Sequence, residues 1–137
     1  MPTKPSVVFV RVKNGGKSQM AAGLMKQVAG ITIDVDSAGT KPGDAVNPLT
    51  AQALQEVSVD ISGATPKVIT ADMLRSVDLV VILGREAEVD EVSGACFENW
   101  DTDEPSERGI EGIERMRLIR DDIADRVSKL AQQLRRT

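Results

Sequence analysis

Hydrophobic positions follow two rhythms along the chain. Ser6 to Val12 (SVVFVRV) is a β-branched run of strand length, and Asn14, Gly15 and Gly16 break it just before a helical spacing begins. Met20, Leu24, Met25 and Val28 then fall on one face of a helix predicted from about Ser18 to Val28, with Gly30 as its stop. Ile31 to Asp36 alternates as a second strand should, and Ser37, Ala38, Gly39 and Thr40 turn the chain into a loop. Asn47 and Pro48 supply an N-cap and a first-turn proline for a helix to about Val57, and Thr70 caps a short helix ending near Ser76. Asp78 to Leu83 (DLVVIL) is a continuous apolar run, as expected of a central strand covered on both faces. Gly84 to Pro105 is irregular and acidic and reads as a functional or capping loop. The last helix is the clearest, with Ile110, Ile113, Met116, Ile119, Ile123, Val127, Leu130 and Leu134 spaced by threes and fours.

Strands alternating with helices predict one α/β domain over residues 1–137, three layers deep, with a mostly parallel central sheet and helices on both faces. Ligands in such sheets bind beyond the carboxyl ends of the strands. The loop from Arg11 to Ser18 occupies that position.

Composition narrows the chemistry. A net charge of −4 argues against a general nucleic-acid binder. No apolar run approaches the ~20 residues of a membrane helix, and the start of the chain carries no export or import pattern, so a cytoplasmic location is expected. With one cysteine, Cys96, and no histidine, a disulfide within the chain is impossible and no soft-metal set can be assembled. No metal and no bound cofactor are expected. The usual general base near neutral pH is missing too, leaving proton transfer to carboxylates, lysines or water.

The loop between the first strand and the first helix suits an anion. Backbone N–H groups of Val12, Lys13, Asn14, Gly15 and Gly16 collect at the positive end of a helix, Lys13 and Lys17 add charge, and Ser18 can donate or cap. A tight strand-to-helix turn with no ligand is the plain alternative. Gly16-Lys17-Ser18 is also the ending of a nucleotide-binding P-loop, but that motif requires an earlier glycine where this chain has Arg11. The nucleotide reading is rejected.

The blocks FVRVKNGGKSQMAA, DSAGT, VNPLTAQAL, VDLVVILG and NWDTDEPSERG, in that order, strongly resemble the arsenate reductases of the low-molecular-weight phosphatase superfamily, over nearly the whole chain. The resemblance is strongest to the actinobacterial branch that uses mycothiol, a small cellular thiol, and implies mycothiol as co-substrate and a redoxin as partner. The family signature is cysteine, five residues, arginine or lysine, then serine or threonine. Here Arg11 stands at the nucleophile's place, Val12 to Gly16 fill the loop, Lys17 takes the oxyanion-clamping position and Ser18 the hydroxyl that would stabilise a thiolate. Asn14 matches the asparagine that holds the loop's shape. The family's general acid is an aspartate before a proline, which corresponds to Glu104 before Pro105, with Asp103 and Asp101 as fallbacks. Without the resemblance, residues 101–105 read as a solvated acidic loop. Arginine stays protonated and has no lone pair for attack, so covalent chemistry at position 11 should be lost.

Cys96 is expected to be a buried packing residue, since free cysteines usually are. Trp100 is expected to anchor the core or a loop, and Asp36 to cap a turn after the second strand. Gly84 to Gly94 contains no cysteine, so the protein-thiol relay of other arsenate reductases is missing. Three functions follow. The first is an arsenate reductase scaffold that binds arsenate or phosphate and condenses it with a small thiol, inactive in this chain. The second is a non-catalytic oxyanion-binding protein, in which Arg11 either adds charge or plugs the site. The third is a low-molecular-weight protein tyrosine phosphatase, ranked lower because the chain has no Tyr and glycines on the loop's rim.

Overall fold

A computed structural model describes residues 4–87, 89 and 95–135. Four strands form one sheet in the order β2-β1-β3-β4, with every pairing parallel. They are β1 (Ser6–Arg11), β2 (Asp34–Gly39), β3 (Leu79–Leu83) and β4 (Cys96–Trp100). Helices α1 (Lys17–Ala29), α2 (Pro48–Gln55), α3 (Ala71–Ser76) and α4 (Gly112–Arg135) connect and follow them, and a short 3-10 turn covers Pro105–Arg108.

Alternation along β1 explains the layers. Val7 and Phe9 face a core shared with α1, α2 and α4, whereas Val8 and Val10 face a smaller one closed by Leu74 of α3. All four are at most 1% exposed, as a central strand requires. Ile119, Ile123 and Val127 carry the apolar stripe of α4 into the larger core and are fully buried. Burying each such side chain contributes about 1.5–3 kcal/mol before chain entropy is charged.

Five sequence expectations change. The second strand begins at Asp34 instead of Ile31 and runs through Ser37, Ala38 and Gly39, which were expected to form a turn. Pairing decides this, because β1 aligns Ser6 with Asp34 and Arg11 with Gly39, leaving Ile31 exposed. Asp36 therefore lies within a strand, where it pairs with Lys67. The helix after Pro48 stops at Gln55, short of Val57, and Ser58 turns the chain with a left-handed backbone. The segment after Leu83 holds a strand, β4, whose only buried residue is Trp100. Residues 88 and 90–94 of that segment lie outside the described residues. Cys96, expected to be buried, is exposed at the start of this edge strand. Asn47 and Thr70 cap α2 and α3 as anticipated, accepting from Leu49 N and Met73 N. Among the described residues no helix is long and apolar enough to cross a membrane.

Candidate oxyanion site

The loop after β1 turns its carbonyls outward. Those of Arg11, Val12 and Lys13 accept from the backbone of Thr40, Lys41 and Gly43, and Gly15 O accepts from Asn47 N at 2.7 Å. Asn14 O accepts from the Gln19 side chain and Gly16 O from Met20 N. A trans peptide places each following N–H opposite its carbonyl, so the N–H groups of the loop point inward. Among the described residues, no acceptor is paired with the backbone N–H of Lys13 through Ser18. These donors converge at the start of α1, where the helix dipole adds positive potential. Gly39 permits the loop's close approach, because a Cβ there would stand 2.6 Å from Val12 O.

Asn14 holds this shape. It is buried, with a left-handed φ of 53°. Its side-chain oxygen accepts from Lys67 N at 3.1 Å and from Gln19 Nε2 at 3.2 Å. A backbone N–H can only donate, which fixes the amide's orientation, and its NH2 then donates to Ser18 Oγ at 2.9 Å. The buried Ser18 hydroxyl keeps its own proton to donate. Gln19, Thr65 and Lys67 belong to this support and went unrecognised in the sequence.

Lys17 is buried and turned toward the opposite segment. Its ammonium donates to Thr102 Oγ1 at 2.8 Å and lies 3.4 Å from Glu104 Oε1. Desolvation and the neighbouring Arg11 lower its pKa, while Glu104 opposes them. Glu104 is gripped by both forks of Arg115, at 2.9 and 3.0 Å, and accepts from Ser106. Arg115, Ser106 and Lys17 together hold its pKa down to about 2 against the cost of burial. A general acid must carry a proton to give, and this residue is held as a carboxylate. Asp103 is paired with Arg108 and Asp101 with Arg85, and both sit below their usual pKa for that reason. The structure thus brings the acidic loop to the oxyanion loop through Lys17, with each carboxylate already matched to an arginine. Arg115, unmarked in the sequence, is the principal partner.

Arg11 ends β1. Its Nη1 donates to Leu83 O at 2.8 Å and lies 3.7 Å from Glu86 Oε2. Gly84, with φ of 85°, provides the seat, since a Cβ there would collide with the Arg11 guanidinium and the Glu86 carboxylate. The side chain divides two cavities. One, of about 830 Å³, is walled by the loop from Arg11 to Gly16, the 43–48 segment and Glu86. The other, of about 650 Å³, contains Lys17 and the acidic residues. Trp100 is a core anchor, tilted against Phe9 with ring centroids 5.7 Å apart and its indole N–H donated to Glu98. Among the described residues no group of acidic or cysteine side chains is arranged to hold a metal.

With a parallel sheet whose first strand opens into a ring of unpaired N–H groups at a helix start, the chain belongs to the low molecular weight phosphotyrosine protein phosphatase family, whose model matches residues 6–137. Arsenate reductases are among the proteins it is similar to. "Arsenate reductase 1" of Staphylococcus haemolyticus is 34% identical over 134 residues, covering 96% of this chain and 98% of that protein. A thioredoxin-dependent arsenate reductase of Corynebacterium glutamicum superposes with a TM-score of 0.82 at 31% identity, over 96% of this chain. This chain spans 62% of that longer one. An arsenate reductase in a phosphate-binding state also superposes at 0.82, with 29% identity over 95% of this chain and 98% of its own.

Proposed function

We propose that this chain is an arsenate reductase-type scaffold that binds a tetrahedral oxyanion, arsenate or phosphate, in the 11–18 loop without turning it over. The observation that carries this reading is the inward ring of backbone N–H groups from Lys13 to Ser18, held by the buried Asn14. Charge development on such an anion needs fixed donors at close range, and this loop supplies them without reorganisation. The similarity to a reductase in a phosphate-binding state supports the same ligand class.

In the active form of the chemistry, a thiolate at position 11 attacks arsenate and one oxygen leaves as water; a small thiol, mycothiol in our reading, then displaces that thiolate and carries the arsenic off as an arseno-thiol adduct, whose As(V) a dithiol redoxin reduces to As(III) as its own thiols are oxidised. Arg11 offers no sulfur and no lone pair. Neither arsenate reduction nor phosphoester hydrolysis is expected. Thiol- and redoxin-coupled arsenate reduction should be undetectable in this protein and restored in Arg11→Cys. Activity in neither, together with no binding of phosphate or arsenate by calorimetry, would overturn the reading.

A non-catalytic binder is the second reading, favoured by the Arg11 guanidinium at the mouth of the loop. It predicts oxyanion binding with an Arg11→Cys protein that stays inactive.

A further inference from the structure

Two cations of the site differ in how firmly they are committed. Lys17 has a side chain 9% exposed, a 2.8 Å hydrogen bond to Thr102 and the Glu104 carboxylate beside it. Moving it to a bound anion would strip a carboxylate of one partner in a desolvated setting. Arg11 is tethered loosely. Of the five N–H donors on a guanidinium, one makes a described hydrogen bond, to a backbone carbonyl. Its ion pair with Glu86 is 3.7 Å long, and the Glu86 side chain is 67% exposed. Solvent screens such a pair, which leaves it weak.

Arg11 and Glu86 line both cavities, and Glu86 is anchored in place by a 3.1 Å hydrogen bond from Arg85 N. Lys13, the other cation at the loop's face, is exposed on the rim, where solvent screens it.

We propose that Arg11 is the side chain that contacts the bound anion and that Glu86 is its internal competitor, making Glu86 the specificity-determining residue of the site. This rests on the oxyanion-binding reading above. Glu86 offers the guanidinium one negative charge. A dianion in the cradle attracts it more strongly than that carboxylate does, while a monoanion does not. The site therefore favours dianions such as phosphate, arsenate and sulfate over monoanions such as nitrate.

The test is calorimetric titration at low ionic strength with phosphate and with nitrate, on the protein, Glu86→Gln, Arg11→Gln and the double variant. Glu86→Gln should tighten phosphate roughly three-fold, the scale of an exposed ion pair, and tighten nitrate by a larger factor. The gain should vanish when Arg11 is also replaced, because the competitor then has nothing to compete for. An equal gain with and without Arg11 would make Glu86 a general repulsive charge and overturn the proposal, as would no change in Glu86→Gln while the protein itself binds phosphate. Absence of phosphate binding in all four proteins would instead remove the oxyanion reading on which the proposal stands.

Discussion

The ammonium of Lys17 and the carboxylate of Glu104 stand 3.4 Å apart and satisfy one another beside the 11–18 loop. One comes from the start of α1 and the other from the segment after β4, so their contact ties the first and last strands' loops together. Both are groups that oxyanion chemistry needs free. Their pairing, reinforced by Arg115, leaves both groups matched on this side, while the backbone N–H groups of Lys13 to Ser18 have no paired acceptor among the described residues.

The pair makes stability depend on pH in a defined direction. Glu104 has a folded pKa of about 2 against an ordinary 4.5, so its contribution is fully present above the ordinary value and is lost as pH falls through the folded one. Its side chain is 27% exposed, and with solvent screening we expect about 1–2 kcal/mol. Urea unfolding should therefore show a Glu104→Gln variant less stable than the parent near pH 6, with the gap closing between about pH 4.5 and 2. A gap that persists at pH 2 would show that the ion pairs contribute little.

Asn14 links fold and site through one buried side chain. Replacing it with alanine keeps the left-handed φ strained and removes the bonds from Lys67 N and Gln19 and to Ser18, for an expected loss of about 2–4 kcal/mol. Asn14→Gly relieves the backbone but not the lost bonds. Thermal unfolding should place the glycine variant between alanine and parent, and phosphate titration should find binding lost in both. Retained binding in Asn14→Gly would mean that the loop holds its shape without the amide.

These residues also mark where sequence reading succeeds. β1, β3 and α4 were legible because their burial is written in contiguous or evenly spaced apolar residues, such as Val7 to Val10 and Leu79 to Leu83. The 11–18 loop was legible from its glycines and its place before a helix. β4 was not, because CFENW turns a single buried side chain inward and its order comes from pairing with β3. The shift of β2 has the same origin, since Ser37, Ala38 and Gly39 become strand by docking against β1 and by the bridge from Gly39 to Val68. Lys67 and Arg115 act through contacts 53 and 11 residues away, which leave no local trace.

Gly39 should tolerate no side chain. Its Cβ would meet Val12 O at 2.6 Å and Asn14 at 3.1 Å, and the backbone carbonyl cannot move without disturbing the cradle. Gly39→Ala is expected to cost about 2–3 kcal/mol by overpacking and to weaken phosphate binding as well. Urea titration and calorimetry on one sample measure both; unchanged values would show that the loop can yield.

The lone thiol lies at the wrong end of the sheet for catalysis. Cys96 pairs with Leu79 at the amino end of parallel strands, whereas the cradle follows Arg11 at the carboxyl end. Four residues of strand separate it from the level of Trp100, about 13 Å, and it is exposed instead of packed. One thiol per chain should therefore react with Ellman's reagent in the native protein at a rate close to that in urea. Alkylation of Cys96 should leave phosphate affinity within about two-fold of the unmodified value, because a neutral group at that distance perturbs neither the N–H ring nor Arg11. A thiol that reacts only after unfolding would place Cys96 back in the core, and loss of phosphate binding on alkylation would connect β4's far end to the site.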